Sequence, residues 1–555
     1  MSIEDFDIII HDGVIVDGSG NPWFKADIGI KNGKIVSIGK LRNNDADRTI
    51  NASGLIVSPG FIDIHSHSDF TLLVNPKAES KIRQGVTTEV IGNCGFSAAP
   101  LTSNYAIEWA ERRVSKYDLK INWTTFNDYL NILDNAGLSI NVAALVGHST
   151  IRICVMNFDN RNPISSELEE MKNLVIEAME AGAFGISTGL VYPPGRYAKT
   201  WELIELCKIV SKYNGIYASH IRGERETIVE AVKEAIKIGE EANISVQISH
   251  HPAKIGGWGK SIETLRLIDE ARDRGVNVNC DLHPYIAGST GLSSILPPWA
   301  QEGGLKKIIE RVKDPKIREK IKRDMILEPI PGPGPCGLVK RGMWDKLFLV
   351  DCKRNKQFIG LSFAEIARRM GVDPFTAYFN LLFEEEASGS ILGFYYNEDD
   401  IRRVLLHPTS MIGSDGYALA PYGKLGLGRM HPRSYGTFPM VIRKYVKGIS
   451  RRELMYDKGC KIISLENIIR KMTSLPAQKL GLYDRGLIRP GFWADIVIFD
   501  LNEISDTATY LDPYKYPIGI KYVIVNGIIV IDDGEHTGKP AGKVLRHKSS
   551  IIIEN

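Results

Sequence analysis

Eight short apolar stretches recur along the chain: GFIDIHSH, TTEVIGNCG, NVAALVGHS, AFGISTGL, IYASH, ISVQISH, VNVNCDLHPY and SMIGSD. Continuous apolar runs bounded by turn residues suit strands buried on both faces, as in a parallel sheet. Between them, SSELEEMKNLVIEAMEAG, RETIVEAVKEAIKIGEEAN and KSIETLRLIDEARDRG carry apolar residues at helical spacing, and each ends near Gly or Asn. The first opens on a serine cap and an acidic first turn. His220 to His250 is one strand–helix–strand step and His250 to Asp281 is another, a rhythm that implies parallel strands with right-handed crossovers. The pattern predicts an α/β fold, a TIM-like (β/α)8 barrel over 59–480. The rhythm breaks after VNVNCDLHPY, so 290–400 reads as an insertion beyond the seventh strand that overhangs the mouth.

The two ends carry a different pattern. DFDIIIHDGVIVDG contains two strand-like runs joined by His11-Asp12-Gly13, a hairpin signal. Asn32-Gly33 and Asn526-Gly527 sit between further strand-like runs, where φ > 0 suits a two-residue turn. Residues 1–58 and 481–555 together predict one small β-sandwich built from both termini.

Composition narrows the function classes. The chain has 555 residues, 43% hydrophobic and 24% charged, with 69 basic against 66 acidic side chains. That balance argues against a polyanion-binding surface, so no nucleic-acid partner is expected. RRELMYDKGCK and VKRGMWDK read as solvated faces. The start, MSIEDFDIIIHDG, lacks the basic and apolar regions of a secretory signal, and no apolar run approaches the roughly 20 residues of a membrane helix. Seven irregularly spaced cysteines make no disulfide framework, which favours the cytoplasm. Oligomeric state does not follow from the sequence.

Five of the eight stretches end in metal-ligand types: His65 with His67, Cys94, His220, His250 and Asp415. Barrels of this kind carry chemistry at the carboxyl ends of their strands, so ligands scattered along the chain would meet at one mouth. His65 and His67, at i and i+2, would share one face of a strand. Cys94 lies in GNCG, whose glycines allow close backbone approach, and a thiolate binds zinc strongly and can bridge two ions. Each residue alone has an ordinary alternative: a surface or half-buried histidine, a small buried cysteine, an aspartate in a turn before Gly416. The ordered set favours ligation. Asp63 is a candidate partner for a ring nitrogen, and His251 should point away from His250. Asp415 is the natural general base for activated water.

The pieces GFIDIHSHSD, GNCGFS, YASHIRGE, ISHH and GSDG fall in the order of the amidohydrolase superfamily, and PGFWADIVIFD with VNGIIVIDDGEHTGKPAGKVLR resembles its carboxyl end. Within it, the cysteine of GNCG, GLVYPPG and HPRSYGTFP resemble the D-aminoacylase (N-acyl-D-amino-acid deacylase) group over about residues 5–546. The resemblance implies that Cys94, His220 and His250 hold a tightly bound zinc ion, and that His65, His67, Cys94 and Asp415 form a second, weaker metal site. It implies that Tyr192 lies near the reaction centre, that Arg433 holds the substrate carboxylate and that Tyr285 contacts substrate. Some relatives carry a lysine directly after the His-His pair; here Pro252 and Ala253 precede Lys254. The activity implied is hydrolysis of N-acyl-D-amino acids to a carboxylate and a free D-amino acid. A cyclic amidohydrolase of the hydantoinase type and a metal-dependent deaminase use similar barrels, and a non-enzymatic scaffold would have lost a ligand.

Overall fold

A computed structural model describes residues 5–41, 44–327, 332–451 and 457–548. The start of the chain, residues 42 and 43, part of the Pro/Gly-rich EPIPGPGPCG, part of RRELMYDKGCK and the last seven residues lie outside these. The amino-terminal strands are β1 (Phe6–Ile15), β2 (Phe24–Lys31), β3 (Lys34–Gly39), β4 (Ala46–Asn51) and β5 (Ile56–Pro59). The next eight are β6 (Phe61–Asp63), β7 (Val86–Ile91), β8 (Asn141–Ala144), β9 (Val146–Gly147), β10 (Gly185–Gly189), β11 (Ile216–His220), β12 (Ser245–Ile248) and β13 (Val278–Leu282). Then come β14 (Ala287–Gly291), β15 (Leu347–Asp351), β16 (Ser390–Phe394), β17 (Ser410–Ile412), β18 (Ile496–Phe499), β19 (Ile520–Val525), β20 (Ile528–Asp532) and β21 (Glu535–His536).

The barrel runs parallel in the order β6-β7-β8 and β9-β10-β11-β12-β13-β17. β8 and β9 are one strand interrupted at Leu145, whose N–H still donates to the Ile91 carbonyl at 3.0 Å. The seam closes just beyond the ends of β6 and β17. There the Asp415 N–H donates to the His65 carbonyl and the His67 N–H to the Gly416 carbonyl, both at 2.8 Å. Ile62, Ile64, Val90, Leu145, Phe184, Ala218 and Met411 pack with Leu475 and Leu480 in one buried cluster. The larger core fills the space between the strands and the helices around them. The helices Ser165–Glu180, Ile228–Ala242 and Ser261–Asp273 form where the periodicity places them. The first does not use a serine cap: Glu167 accepts from the Ile164 N–H at 2.8 Å, and Ser165 is already helical.

Between β13 and the helix Glu398–Leu406, which leads into β17, the chain forms a three-stranded antiparallel sheet in the order β14-β16-β15, with several helices. This segment touches the barrel mouth, where the Ile255 N–H donates to the Tyr395 carbonyl at 2.8 Å.

Both ends of the chain join one nine-stranded sheet, in the order β21-β20-β19-β18-β5-β1-β2-β3 with β4 beside β1. Ile10, Ile28, Ile30, Ile35, Ile496, Ile498 and Ile524 pack on it in one buried cluster to which both ends of the chain contribute. Asn32-Gly33 and Asn526-Gly527 form the expected tight turns, all four at positive φ. His11-Asp12-Gly13 does not form a hairpin. β1 is one strand with a bulge there, and Asp12 takes φ 55°.

The buried Asp27 carboxylate decides this. It accepts from the Asp12 N–H at 2.9 Å and the Leu41 N–H at 2.8 Å, with His11 Nδ1 at 3.4 Å. Burial pushes the Asp27 carboxyl up, but the Leu41 and Asp12 N–H groups and His11 outweigh it and hold the carboxyl below its ordinary range. Asp27→Ala orphans two backbone donors and is expected to cost about 1–3 kcal/mol by denaturant unfolding at pH 7. Exposed Asp45→Ala should change stability by less than about 0.5 kcal/mol. Because the folded pKa is depressed, the Asp27 contribution is present above the unfolded value of about 3.9 and is lost as pH falls through the folded one. The gap between parent and Asp27→Ala should therefore narrow in acid. Among the described residues, no helix is long and apolar enough to cross a membrane.

Candidate metal centre

Six side chains from five strand ends converge at the barrel mouth. His220 is the last residue of β11, His250 follows β12 by two residues, and Cys94 and Asp415 follow β7 and β17 by three. Three of these residues sit at positive φ: Cys94 at 53°, His250 at 35° and Asp415 at 51°. Such backbone strain in non-glycine residues concentrates at functional sites, where the surrounding fold holds it in place. The GNCG loop shows how. A Cβ on Gly92 would lie 2.0 Å from the Leu145 carbonyl oxygen, and one on Gly95 would lie 2.6 Å from the Gly189 nitrogen. The two glycines let this loop lie flat against the next strands, which aims Cys94 inward.

The Cys94 sulfur lies 3.4 Å from His65 Nε2 and 3.7 Å from His250 Nε2. His250 Nε2 is 2.9 Å from His220 Nδ1. Asp415 Oδ1 lies 2.9 Å from His67 Nε2 and 3.6 Å from His65 Nε2. The ligand atoms of His65, Cys94 and His250, and those of His65, His67 and Asp415, form two groups, each with its atoms within 4.8 Å of one another. β6 ends at Asp63, so the two histidines are not within one regular strand, yet both imidazoles face Asp415. Burial would push the Cys94 thiol up, but the surrounding His65, His220 and His250 imidazoles hold it well below its ordinary value. Thiolate, imidazole and carboxylate donors at this spacing suit a divalent cation of borderline softness, zinc above all. The residues therefore fit the expected group.

Buried carboxylates fix the rings. Asp281, in β13, lies 3.2 Å from His65 Nδ1 and also accepts from the His250 N–H at 2.8 Å and Gln247 Nε2 at 2.9 Å. It thereby leaves His65 Nε2 for the metal side. Asp63, the expected ring partner, instead accepts from Lys81 Nζ and the Ser414 hydroxyl, both at 2.6 Å, and from the Ser414 N–H at 2.8 Å. A neighbouring lysine and the Asp415 turn compete for it, so it anchors the base of the site. Glu224 lies 3.3 Å from His220 Nε2 and 3.2 Å from His250 Nδ1, and pairs with Lys254. Asp281 and Glu224 were not singled out by sequence. Their only signal was a carboxylate inside an apolar strand and one four residues after a ligand histidine.

Arg433 is buried and its Nη1 donates to Asp415 Oδ2 at 2.5 Å, the one hydrogen bond its guanidinium makes among the described residues. Burial pushes the Asp415 carboxyl up, but Arg433 and His67 beside it hold it well below the usual range. The Tyr192 ring packs edge-on at 5.0 Å from His220, and its hydroxyl meets Thr290 Oγ1, in β14, at 3.1 Å. Tyr285 is brought near Arg433 but not to the ligands: its ring packs 5.1 Å from His431 and its hydroxyl faces the Pro432 carbonyl at 3.5 Å. His251 points away as expected, 2.9 Å from Thr264 Oγ1. His148, also at a strand end, turns instead to Glu202 at 2.8 Å, in a buried cluster with Arg152. Lys254 does reach the site, with Nζ 3.0 Å from the His250 carbonyl.

Comparison with known proteins agrees with this geometry. The amidohydrolase family model matches residues 48–208 and 442–531, and a model of the urease alpha-subunit N-terminal domain matches residues 2–61. A D-aminoacylase of Alcaligenes xylosoxydans xylosoxydans is 36% identical over 545 residues, 98% of this chain and 98% of its own length. An N-acyl-D-glutamate deacylase of the same organism is 35% identical over 554 residues, covering 99% of this chain and 98% of the relative. Among solved structures, the N-acyl-D-glutamate deacylase of Bordetella bronchiseptica, complexed with zinc and a phosphonate mimic of the reaction's tetrahedral intermediate, matches with a TM-score of 0.80. It is 33% identical over 98% of this chain and 100% of that one. Near-complete coverage at this identity, on a barrel whose mouth gathers cysteine, histidine and aspartate donors, shows that the chain belongs to the amidohydrolase family, in its group of D-aminoacylases and N-acyl-D-amino-acid deacylases.

Proposed function

We propose that the protein is a zinc-dependent N-acyl-D-amino-acid deacylase that releases a carboxylate and a free D-amino acid. The observation that carries this reading is the placing of Cys94 between the inward nitrogens of His65 and His250, at 3.4 and 3.7 Å. A cysteine there would offer its thiolate to both groups of donors. The family relatives named above supply the substrate class and the D series.

Zinc held by Cys94, His220 and His250, with His65, His67 and Asp415 offering a second site, would supply a Lewis acid and bring the pKa of a water towards about 7. Asp415 lies where it can take the proton of the attacking water through Oδ1 and pass it to the departing amine. Burial pushes the Tyr192 phenol well up, and the Cys94 thiolate adds to this, so the hydroxyl stays protonated and can donate to the developing oxyanion. Arg433 gives one N–H to Asp415 and keeps its others for the α-carboxylate of the substrate, a fork that fixes the chiral centre. Tyr285 supports that pocket as a wall against His431 and Pro432. The segment 290–400 carries Tyr395 and Tyr396 onto the mouth and is read as the part that selects the side chain. A reducing, cytoplasmic setting is part of this reading, which the odd number and irregular spacing of the seven cysteines suit.

The test is product release by zinc-loaded protein from paired N-acetyl-D- and N-acetyl-L-amino acids, with hydantoins alongside. Free D-amino acid with little from the L series supports the reading. Turnover of hydantoins alone, or ammonia as the product, removes it. Chelation should abolish turnover and added zinc should restore it. Asp415→Asn is expected to keep zinc, by metal analysis, and to lose roughly 10²–10⁴-fold in kcat. Arg433→Ala should raise KM for N-acyl-D-amino acids about 10- to 100-fold, with little change for amide analogues that lack the carboxylate.

A further inference from the structure

Glu224 is a buried carboxylate that the deacylase mechanism does not use. It lies in the loop after β11, four residues past His220, and Lys254 lies four residues past His250 in the loop after β12. The two loops are tied together, since the Lys254 N–H donates to the Glu224 carbonyl at 3.0 Å. Glu224 Oε1 then stands behind both rings, 3.3 Å from His220 Nε2 and 3.2 Å from His250 Nδ1. The opposite ring nitrogens, His220 Nδ1 and His250 Nε2, meet at 2.9 Å on the Cys94 side.

A neutral imidazole carries one proton, and a carboxylate can only accept. The two contacts are at ion-pair range rather than in hydrogen-bond geometry, and a carboxylate this close to one ring nitrogen favours the tautomer with its proton there and its lone pair at the other nitrogen. Both histidines are set in this way by one oxygen atom. We propose that Glu224 is the positioning residue of the zinc centre: it holds the outward nitrogens of His220 and His250 together and so aims both inward nitrogens at the metal. This rests on reading the site as a zinc centre.

The same three side chains, His220, Glu224 and His250, are close enough to be mistaken for a further cation site. The Lys254 ammonium already occupies that place. It pairs with Glu224 Oε1, donates to the His250 carbonyl at 3.0 Å and lies 4.9 Å from the centre of the Tyr396 ring. Lys254 thus compensates the buried carboxylate, and its Nζ, 3.4 Å from His250 Nδ1, shares that ring nitrogen with Glu224.

The test is zinc affinity, read by competition with a chromophoric chelator and without substrate. Glu224→Gln is expected to weaken zinc binding about 10- to 100-fold, the usual effect of removing such a partner. Lys254→Met, which keeps the carboxylate but removes its compensating charge, should weaken it clearly less than Glu224→Gln does. Zinc affinity of Glu224→Gln within about twofold of the parent overturns the proposal. So does an equal loss in both variants, which would mark the ion pair as a tie between loops and nothing more. Should Glu224→Gln fail to fold, Glu224→Asp decides: it keeps the charge beside Lys254 but is too short to reach both rings. A loss of about fivefold or more supports the proposal and an unchanged affinity overturns it. A failed deacylase assay would leave this result standing, because zinc binding is measured without the reaction.

Discussion

The seam of the barrel is the constraint on which the site depends. Backbone groups buried between the first and eighth strands must be paired, because no water reaches them. Two hydrogen bonds do this, from the Asp415 N–H to the His65 carbonyl and from the His67 N–H to the Gly416 carbonyl, both at 2.8 Å. The residues that close the barrel are thus the residues that carry ligands. A slip of one residue in this register would turn His65 and Asp415 away from each other. Ligands more than three hundred residues apart in sequence therefore share one geometry that the backbone of the seam fixes.

Around the seam, neighbouring groups give chemically similar carboxylates different tasks. Asp63 is bonded to Lys81 and to both polar groups of Ser414, and it anchors the turn that presents Asp415. Asp281 faces His65, Glu224 faces His220 and His250, and Asp415 faces His67 and Arg433. A buried carboxylate left unpaired would be costly, so each one fixes the orientation of whatever compensates it. The left-handed backbone at Cys94, His250 and Asp415 adds a local cost, which the close packing of the GNCG loop and the seam offset.

Much of this was legible in the chain. The eight apolar stretches become the eight barrel strands, because runs buried on both faces have no polar alternation to confuse them. The ligand histidines, Cys94 and Asp415 follow from residue type at strand ends. Other readings depended on partners that sequence does not name. His11-Asp12-Gly13 has the composition of a hairpin, but Asp27 on the next strand makes it a bulge. Asp63 stood nearest to His65 in sequence, while Asp281, distant in sequence, took the ring nitrogen. His148 and His220 both end apolar strands, and only the neighbouring Glu202 and Arg152 show that His148 is structural.

The sequence by itself determined the barrel, the two-ended β-sheet and the residue types that can bind metal, because hydrophobic periodicity and strand-end position are properties of short segments. Only the tertiary structure decided which nitrogen of each histidine faces inward, that Arg433 holds Asp415, and that Glu224 and Lys254 stand behind the ligands. Those choices are made by hydrogen-bond partners brought from other strands, and a side chain's partner is fixed by distance in the fold, not by distance along the chain.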